Sequence, residues 1–426
     1  MTVAVFLGSL LLAMLVGMPI AYALLASGVA LMWHLDMFDA QILAQNFING
    51  ADSFPLLAVP FFMLAGEIMN VGGLSRRIVN VAMALVGHVR GGLGYVTILA
   101  ACLLSALSGS AVADAAALTA LLLPMMVRAG HDQARAGGLI AAAGIIGPII
   151  PPSIGFVIFG VAANVSISKL FLAGIVPGLL IGAGLAATWW WLGRREQITP
   201  PARCSRAEVL SAARESFWAL LLPVIILVGL RMGVFTPTEA AVVAAVYALV
   251  VAGLIYRELT LRMLVDIFCT AAKTTAVVMF LIAAAMVSAW LITVADLPSK
   301  MVDMLEPLLG QPTLLLVAIM LLVMAVGTAM DMTPTILIMT PVLMPVVKAA
   351  GIDPVYFGVL FIINNSIGLI TPPVGTVLNV VAGVGRMKMD AVTRGVMPFM
   401  VAQLGVMFLL VLFPPLVTAP LRWMTA

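Results

Sequence analysis

Two short stretches of this chain gather small residues, hydroxyls and one acid each. They are Ser105-Ala106-Leu107-Ser108-Gly109-Ser110-Ala111-Val112-Ala113-Asp114 and Gly327-Thr328-Ala329-Met330-Asp331-Met332-Thr333-Pro334-Thr335. Each is followed by a double proline inside an apolar run, Ile149-Ile150-Pro151-Pro152-Ser153 and Leu369-Ile370-Thr371-Pro372-Pro373. Hydroxyls, bare peptide carbonyls and a carboxylate are hard oxygen donors that suit an alkali cation, and no His or Cys cluster offers itself to a transition metal. Sodium is the expected ion. Helix ends at the same breaks add partial charges, with carbonyl ends toward a cation and amide ends toward an anionic substrate.

The surroundings of these stretches decide what they can do. The 426 residues are 63% hydrophobic and only 9% charged, with a mean hydropathy of +1.20, against roughly 25% charge in a soluble domain. The apolar runs are continuous rather than alternating, so the fold class is an all-α polytopic membrane protein and not a barrel. The run from Val3 to Trp33 carries no charge and lacks the basic start of a cleavable signal, so it is read as retained helix. Net charge of +3 gives no reason to expect nucleic acid as a partner. Cys102, Cys204 and Cys269 have no metal-like or disulfide-like spacing and read as small core residues plus one loop thiol.

A proline removes a backbone donor and clashes one turn back, so each span must break at its Pro-Pro. Broken backbone within a bilayer is tolerated only where it is buried in protein or lines a polar cavity. The chain also repeats itself: 372 − 151 = 221, and the same offset carries Pro124 to Pro345, Asp132 to Asp353, Gly147 to Gly368 and Pro177 to Pro398. The expected organisation is a first repeat at 1–192, a basic cytoplasmic linker at 193–217 and a second, inverted repeat at 218–426, with both termini periplasmic. Trp189, Trp190, Trp191 and Trp218 read as anchors at the membrane surface. Interfacial arms are expected at about 72–92 and 296–311, and broken helices at about 136–165 and 357–385. The hydroxyl-rich tips, about 105–114 and 327–335, lie between apolar arms of roughly ten to fifteen residues. Such arms are too short to span, which predicts re-entrant hairpins.

Asp114 and Asp331 are intramembrane acids, each costing about 2.5–3.5 kcal/mol at a helix centre. They either ligate ions or hold the tip backbone from behind, and the second role is favoured. For Ser108, Ser110 and Thr328, plain small-residue packing is the alternative, weakened by the twofold recurrence beside Pro-Pro. Glu67 and Glu239 are further acids in apolar surroundings, read either as functional or as bonded to helix ends. Substrate contacts are expected from Asn364, Asn365 and Ser366, with Lys273 as a candidate for a carboxylate or, alternatively, a snorkelling lysine.

The runs Leu107–Asp114, Ile149–Ser153, Phe235–Ala240, Met330–Thr335 and Gly368–Gly375 closely resemble, in order and over nearly the whole chain, the large membrane subunit of tripartite ATP-independent periplasmic (TRAP) transporters. Within that family the similarity is greatest to the type that imports a keto sugar acid such as 2,3-diketo-L-gulonate, to which Asn49–Phe54 and Phe361–Ser366 contribute. The resemblance implies a sodium-coupled elevator in the bacterial inner membrane, taking an organic acid from a periplasmic substrate-binding protein. It also implies a small four-helix membrane subunit, expected as a separate chain because this one begins at the large subunit's first helix. Two or more sodium ions are implied, one site around Ser108, Gly109, Ser110, Gly147, Pro151 and Ser153, the other around Gly327, Thr328, Gly368 and Thr371. Asp114, Asp331 and Thr333 would stand behind them. Two other readings remain: a stand-alone sodium/dicarboxylate-type carrier, and, remotely, an intramembrane aspartyl-type enzyme using Asp114 and Asp331 as an acid pair.

Overall fold

The computed structural model describes residues 2–194 and 203–425, and the rest of the basic linker, 195–202, lies outside them. The first half runs α1 (Thr2–Leu15), α2 (Ile20–His34), α3 (Ala40–Ala51), α4 (Ala58–Val71), α5 (Leu74–Val86), α6 (Gly92–Ser108), α7 (Ala111–Arg128), α8 (Gln133–Gly144), α9 (Ile154–Ala163) and α10 (Ile167–Gly193). The second runs α11 (Arg206–Arg231), α12 (Pro237–Val250), α13 (Leu261–Val294), α14 (Leu297–Met304), α15 (Glu306–Leu309), α16 (Pro312–Gly327), α17 (Met332–Ala349), α18 (Pro354–Gly368), α19 (Thr376–Val384), α20 (Met389–Leu412) and α21 (Pro415–Thr425). No strand occurs among the described residues, and eight helical segments there are long and apolar enough to cross a membrane. α11 begins at Arg206, inside the stretch read as linker.

The offset seen in the sequence carries helix boundaries too. Adding 221 to the ends of α7 gives 332 and 349, the ends of α17. The prolines that kink these helices, Pro124 and Pro345, obey the same offset, as do Pro177 in α10 and Pro398 in α20. So do the caps: the Asp132 carboxylate accepts from Arg135 N at 2.8 Å to start α8, and that of Asp353 accepts from Val355 N and Tyr356 N at 2.8 Å to start α18. An exception is α13, one helix of 34 residues where the first half has α3, a 3₁₀ turn and α4.

α1–α4, α12 and α13 pack on one another as a frame. The hairpins and broken helices interlock across the halves. α9 lies on α17 and α18, with the Phe159 ring tilted against those of Phe357 and Phe361 at centroid distances of 6.2 and 5.7 Å. In exchange, α19 packs on α7 and α8. Glycine permits the closest approach: a Cβ at Gly138 of α8 would run into the Gly395 backbone of α20. Nearby, Gln403 Nε2 donates to the Ala142 carbonyl at 2.8 Å. The arm α5 buries Leu74, Ile78, Val79, Val81 and Ala82. It is tied to the connection between α12 and α13 by Arg76 and Arg77, 3.1 and 2.6 Å from Glu258, with Arg77 also 3.7 Å over the Tyr256 ring.

Three expectations need correction. The arms beside the tips are 17 and 18 residues in the first half and 16 and 18 in the second, not ten to fifteen. At about 1.5 Å per residue each reaches roughly 25 Å, because the small residues flanking each tip extend the helices rather than ending them. Trp189 is no surface anchor: it is 2% exposed, donates from Nε1 to the Gly91 carbonyl at 2.9 Å and stacks on Phe399, leaving Trp190 and Trp191 exposed. Cys269 is exposed on α13 rather than a core residue, and all three thiols are free.

Candidate cation and substrate site

Both double prolines interrupt their helices. Residues 145–153 separate α8 from α9, residues 369–375 separate α18 from α19, and the Pro151-Pro152 and Pro372-Pro373 bonds are cis. Each break meets the tip of its own half's hairpin.

In the first half, Gly109 adopts φ +60°, a left-handed conformation that a side chain would strain, and turns α6 into α7. A Cβ there would also sit 2.6 Å from the Pro152 carbonyl and 3.1 Å from Ser153 Cα, so the tip lies directly on the break. Ser110 caps α7 by accepting from Ala113 N, and Ser153 caps α9 by accepting from Phe156 N at 3.3 Å. The Ser153 hydroxyl in turn donates to the Pro148 carbonyl at 2.6 Å. Asp114, 3% exposed, accepts from the Ser108 hydroxyl at 2.5 Å through Oδ1, and that hydroxyl accepts from Ser110 N at 3.1 Å. Gly147 leaves the space into which Asp114 Oδ2 points: a Cβ there would be 2.6 Å from it. Asp114 thus holds the tip from behind while its second oxygen has no hydrogen-bond partner among the described residues.

The second half builds the same junction from other side chains. Gly327 and Gly368 face each other; a Cβ on Gly368 would be 2.9 Å from the Gly327 carbonyl. Asn365 of α18 bridges break and tip, donating from Nδ2 to the Met332 carbonyl at 3.0 Å, with Oδ1 3.5 Å from where a Gly327 Cβ would stand. Thr371 donates to the Ile367 carbonyl at 2.8 Å and Thr328 to the Ala325 carbonyl at 2.8 Å. Asn364 donates to the Met320 carbonyl at 2.6 Å and Ser366 to the Ile362 carbonyl at 2.7 Å. The Oδ1 atoms of Asn364 and Asn365 are buried without a hydrogen-bond partner among the described residues.

The two aspartates differ. Asp331 is exposed, stands at the N-cap of α17 and makes no side-chain capping bond. By the offset of 221 it corresponds to Ser110, the N-cap of α7, and the counterpart of Asp114 is Thr335 (114 + 221 = 335). Thr335 is fully buried and donates to the Asp331 carbonyl at 2.9 Å. Reading Asp331 as a buried support is therefore corrected; the supporting positions are held by Thr335 and Asn365. Thr333, half-buried in the first turn of α17, has Val112 as its counterpart (333 − 221 = 112).

A cleft of about 100 Å³ opens beside the first tip, between Ser108, Ser110 and Asp114 on one side and Glu67, Asn70, Ala271 and Thr274 of the frame on the other. Glu67 and Asn70 bring polar groups from α4 to this cleft. The other framework acid, Glu239, is a capping residue that accepts from Thr236 N at 2.8 Å. Lys273 is exposed on α13, whose Ala271 and Thr274, but not Lys273, line the cleft. No group of three or more His, Cys, Asp or Glu side chains placed to hold a metal occurs among the described residues. A cation here would meet hydroxyl, carbonyl and amide oxygens, which are donors suited to a hard ion.

The fold is that of a membrane transporter: the Alcanivorax borkumensis YdaH transporter aligns with a TM-score of 0.65 at 18% identity, over 88% of this chain and 89% of that one. The chain belongs to the tripartite ATP-independent periplasmic transporter family, residues 7–416 matching its DctM component. It is 58% identical over 423 residues to the 2,3-diketo-L-gulonate TRAP transporter large permease protein YiaN of Escherichia coli (strain K12), covering 99% of this chain and 100% of that protein. It is also 41% identical to the sialic acid TRAP transporter large permease protein SiaM of Vibrio cholerae, over 93% of each. The chain is a transporter permease and not an enzyme. The acid pair also fails on geometry, since one aspartate is buried against Ser108 and the other is an exposed helix cap.

Proposed function

We propose that this chain is the transporting subunit of a sodium-coupled, substrate-binding-protein-dependent importer for an organic acid, of the keto sugar acid type exemplified by 2,3-diketo-L-gulonate. The observation that carries the sodium reading is the pairing of each hairpin tip with a Pro-Pro break, where buried oxygens of Asp114, Asn364 and Asn365 have no partner among the described residues. A buried acceptor left unpaired costs about 1–3 kcal/mol, and a cation beside it removes that cost. Sodium is cargo: one ion is held near Ser108, Ser110 and Gly147, and a second near Gly327, Thr328, Gly368 and Thr371.

The 58% identity to a diketogulonate permease supports this substrate class. The anion binds near the tips, where Asn365, Ser366, Asn70 and Thr274 offer donors and acceptors. With two sodium ions and a monoanion the charge moved is +1, so the membrane potential contributes about 2.3 kcal/mol per 100 mV. The interlocked hairpins and broken helices then move as one body against the frame, an elevator. The complex sits in the bacterial inner membrane with a small four-helix subunit, a periplasmic substrate-binding protein, the linker cytoplasmic and the termini periplasmic.

The test is uptake into proteoliposomes containing both membrane subunits, with the binding protein added. Replacing sodium by potassium is expected to reduce accumulation to background, and equal accumulation in potassium would overturn the coupling. Full uptake without the binding protein would favour a stand-alone carrier.

A further inference from the structure

Away from the transport site, a second cavity of about 230 Å³ lies where the arm α5 leads into α6 and α10 ends. It is lined by Arg90 and Arg194, by Tyr95, Trp189 and Trp190, and by Val89 and the glycines 91 and 193. Among the described residues no acidic side chain lines it. The Arg194 guanidinium stacks 3.6 Å over the Trp190 ring, Arg90 Nη2 donates to the Arg194 carbonyl at 3.4 Å, and Trp189 is locked against the Gly91 carbonyl at 2.9 Å. Two guanidinium groups thus meet at one cavity, Arg194 against its aromatic wall and Arg90 on the Arg194 carbonyl.

Its depth in the fold is informative. α10 is a 27-residue apolar span whose last turn carries the exposed Trp190 and Trp191, and the charged linker follows. Tryptophans at that place mark the headgroup level of a bilayer, so the cavity opens where lipid phosphates lie.

The matching positions of the other half carry none of these groups. The offset carries Arg90 to Gln311 (90 + 221 = 311), Trp189 and Trp190 to Leu410 and Val411, and Arg194 to Pro415. The repeat supplies the backbone, and only one copy has been furnished with cations and aromatic rings. A packing requirement common to both halves would not produce this difference.

We propose that this cavity binds the phosphodiester headgroup of an anionic phospholipid. Arg90 and Arg194 hold the phosphate through charge-assisted hydrogen bonds, Trp190 and Tyr95 flank the glycerol, and the acyl chains run along the exposed apolar side of α10. Basic pockets between helices at a membrane surface suit such headgroups. The bound lipid bridges the start of the first hairpin to the end of α10.

The experiment uses the full chain purified in a non-ionic detergent, with lipid adducts counted by native mass spectrometry and melting followed in parallel. Phosphatidylglycerol, phosphatidylcholine and inorganic phosphate are the three probes. Phosphatidylglycerol is expected to remain bound at least tenfold more than phosphatidylcholine and to raise the melting temperature, with inorganic phosphate giving no shift. The double variant R90Q/R194Q is expected to lose that preference, whereas R203Q/R206Q, which removes equal charge from a neighbouring surface cleft, keeps it. Equal retention of the two lipids by the parent chain overturns the proposal without recourse to any variant. So does undiminished phosphatidylglycerol binding by R90Q/R194Q, and so does stabilisation by inorganic phosphate equal to that by the lipid, which would make this a soluble-anion site.

Discussion

The two tip-and-break units share a backbone plan and differ in how closed they are. In the first, Pro151, Pro152 and Ser153 are all buried, and the hairpin supports itself through Ser108 and Asp114. In the second, Pro373, Val374, Ala329 and Asp331 are exposed, and support comes from outside the hairpin through Asn365. A helix interruption needs its freed polar groups satisfied by something, but the side chain that does so can belong to either partner. The first unit is a buried polar network within one hairpin; the second is a contact between two elements with an open side.

That contrast can be broken at its tightest point first. Gly147→Ala sets a methyl 2.6 Å from Asp114 Oδ2 and 3.1 Å from the Ser110 carbonyl carbon. Overpacking of this kind costs about 1–3 kcal/mol, and uptake should fall to background in the proteoliposome assay. Gly368→Ala, against the Gly327 carbonyl, should do the same at the second tip. If both variants transport normally, the junctions are not where the transported ions are held.

Next in size is the comparison of the aspartates. Asp114→Ala removes the buried acceptor of the half-buried Ser108 hydroxyl and should cost about 1–3 kcal/mol, seen as a lower melting temperature together with loss of sodium-dependent uptake. Asp331→Ala touches no side-chain partner and should stay within about 0.5 kcal/mol of the parent in stability. Equal destabilisation by the two would restore the view that they are equivalent.

Asn365→Ala should have a smaller and more specific effect: a several-fold rise in the sodium concentration giving half-maximal uptake, with the fold intact. An unchanged sodium dependence would remove Asn365 from the second junction's function. The smallest effect is expected at Lys273, which is exposed on α13 and off the cleft lining. Lys273→Ala should leave the half-saturating substrate concentration within about twofold, and a large rise would return this lysine to the substrate site.

Much of this arrangement was legible in the sequence because proline and glycine leave unambiguous marks. The Pro-Pro breaks could be placed by reading, since they follow from local backbone chemistry, whereas Asp132 and Asp353 showed only as a matched pair and their capping role came from the structure. What escaped was set by packing. Asp114 and Asp331 look alike as single acids in hydroxyl-rich runs, yet the offset of 221 applied strictly pairs Asp114 with Thr335, and only burial shows what that means. Trp189 has the type and position of a surface anchor; the glycines at 91 and 94 that admit its ring into the core give little sign of doing so in one sequence. Lys273 was drawn toward the substrate by its charge, which carries no information about the face of α13 it occupies.

The central claim is that each tip and its break hold a sodium ion, and equilibrium binding of radioactive sodium to the purified chain tests it most directly. The account predicts saturable binding of two ions, displaced by unlabelled sodium but not by potassium, with Gly147→Ala and Gly368→Ala each removing one. Binding that potassium displaces equally well, or that both substitutions leave intact, would contradict it.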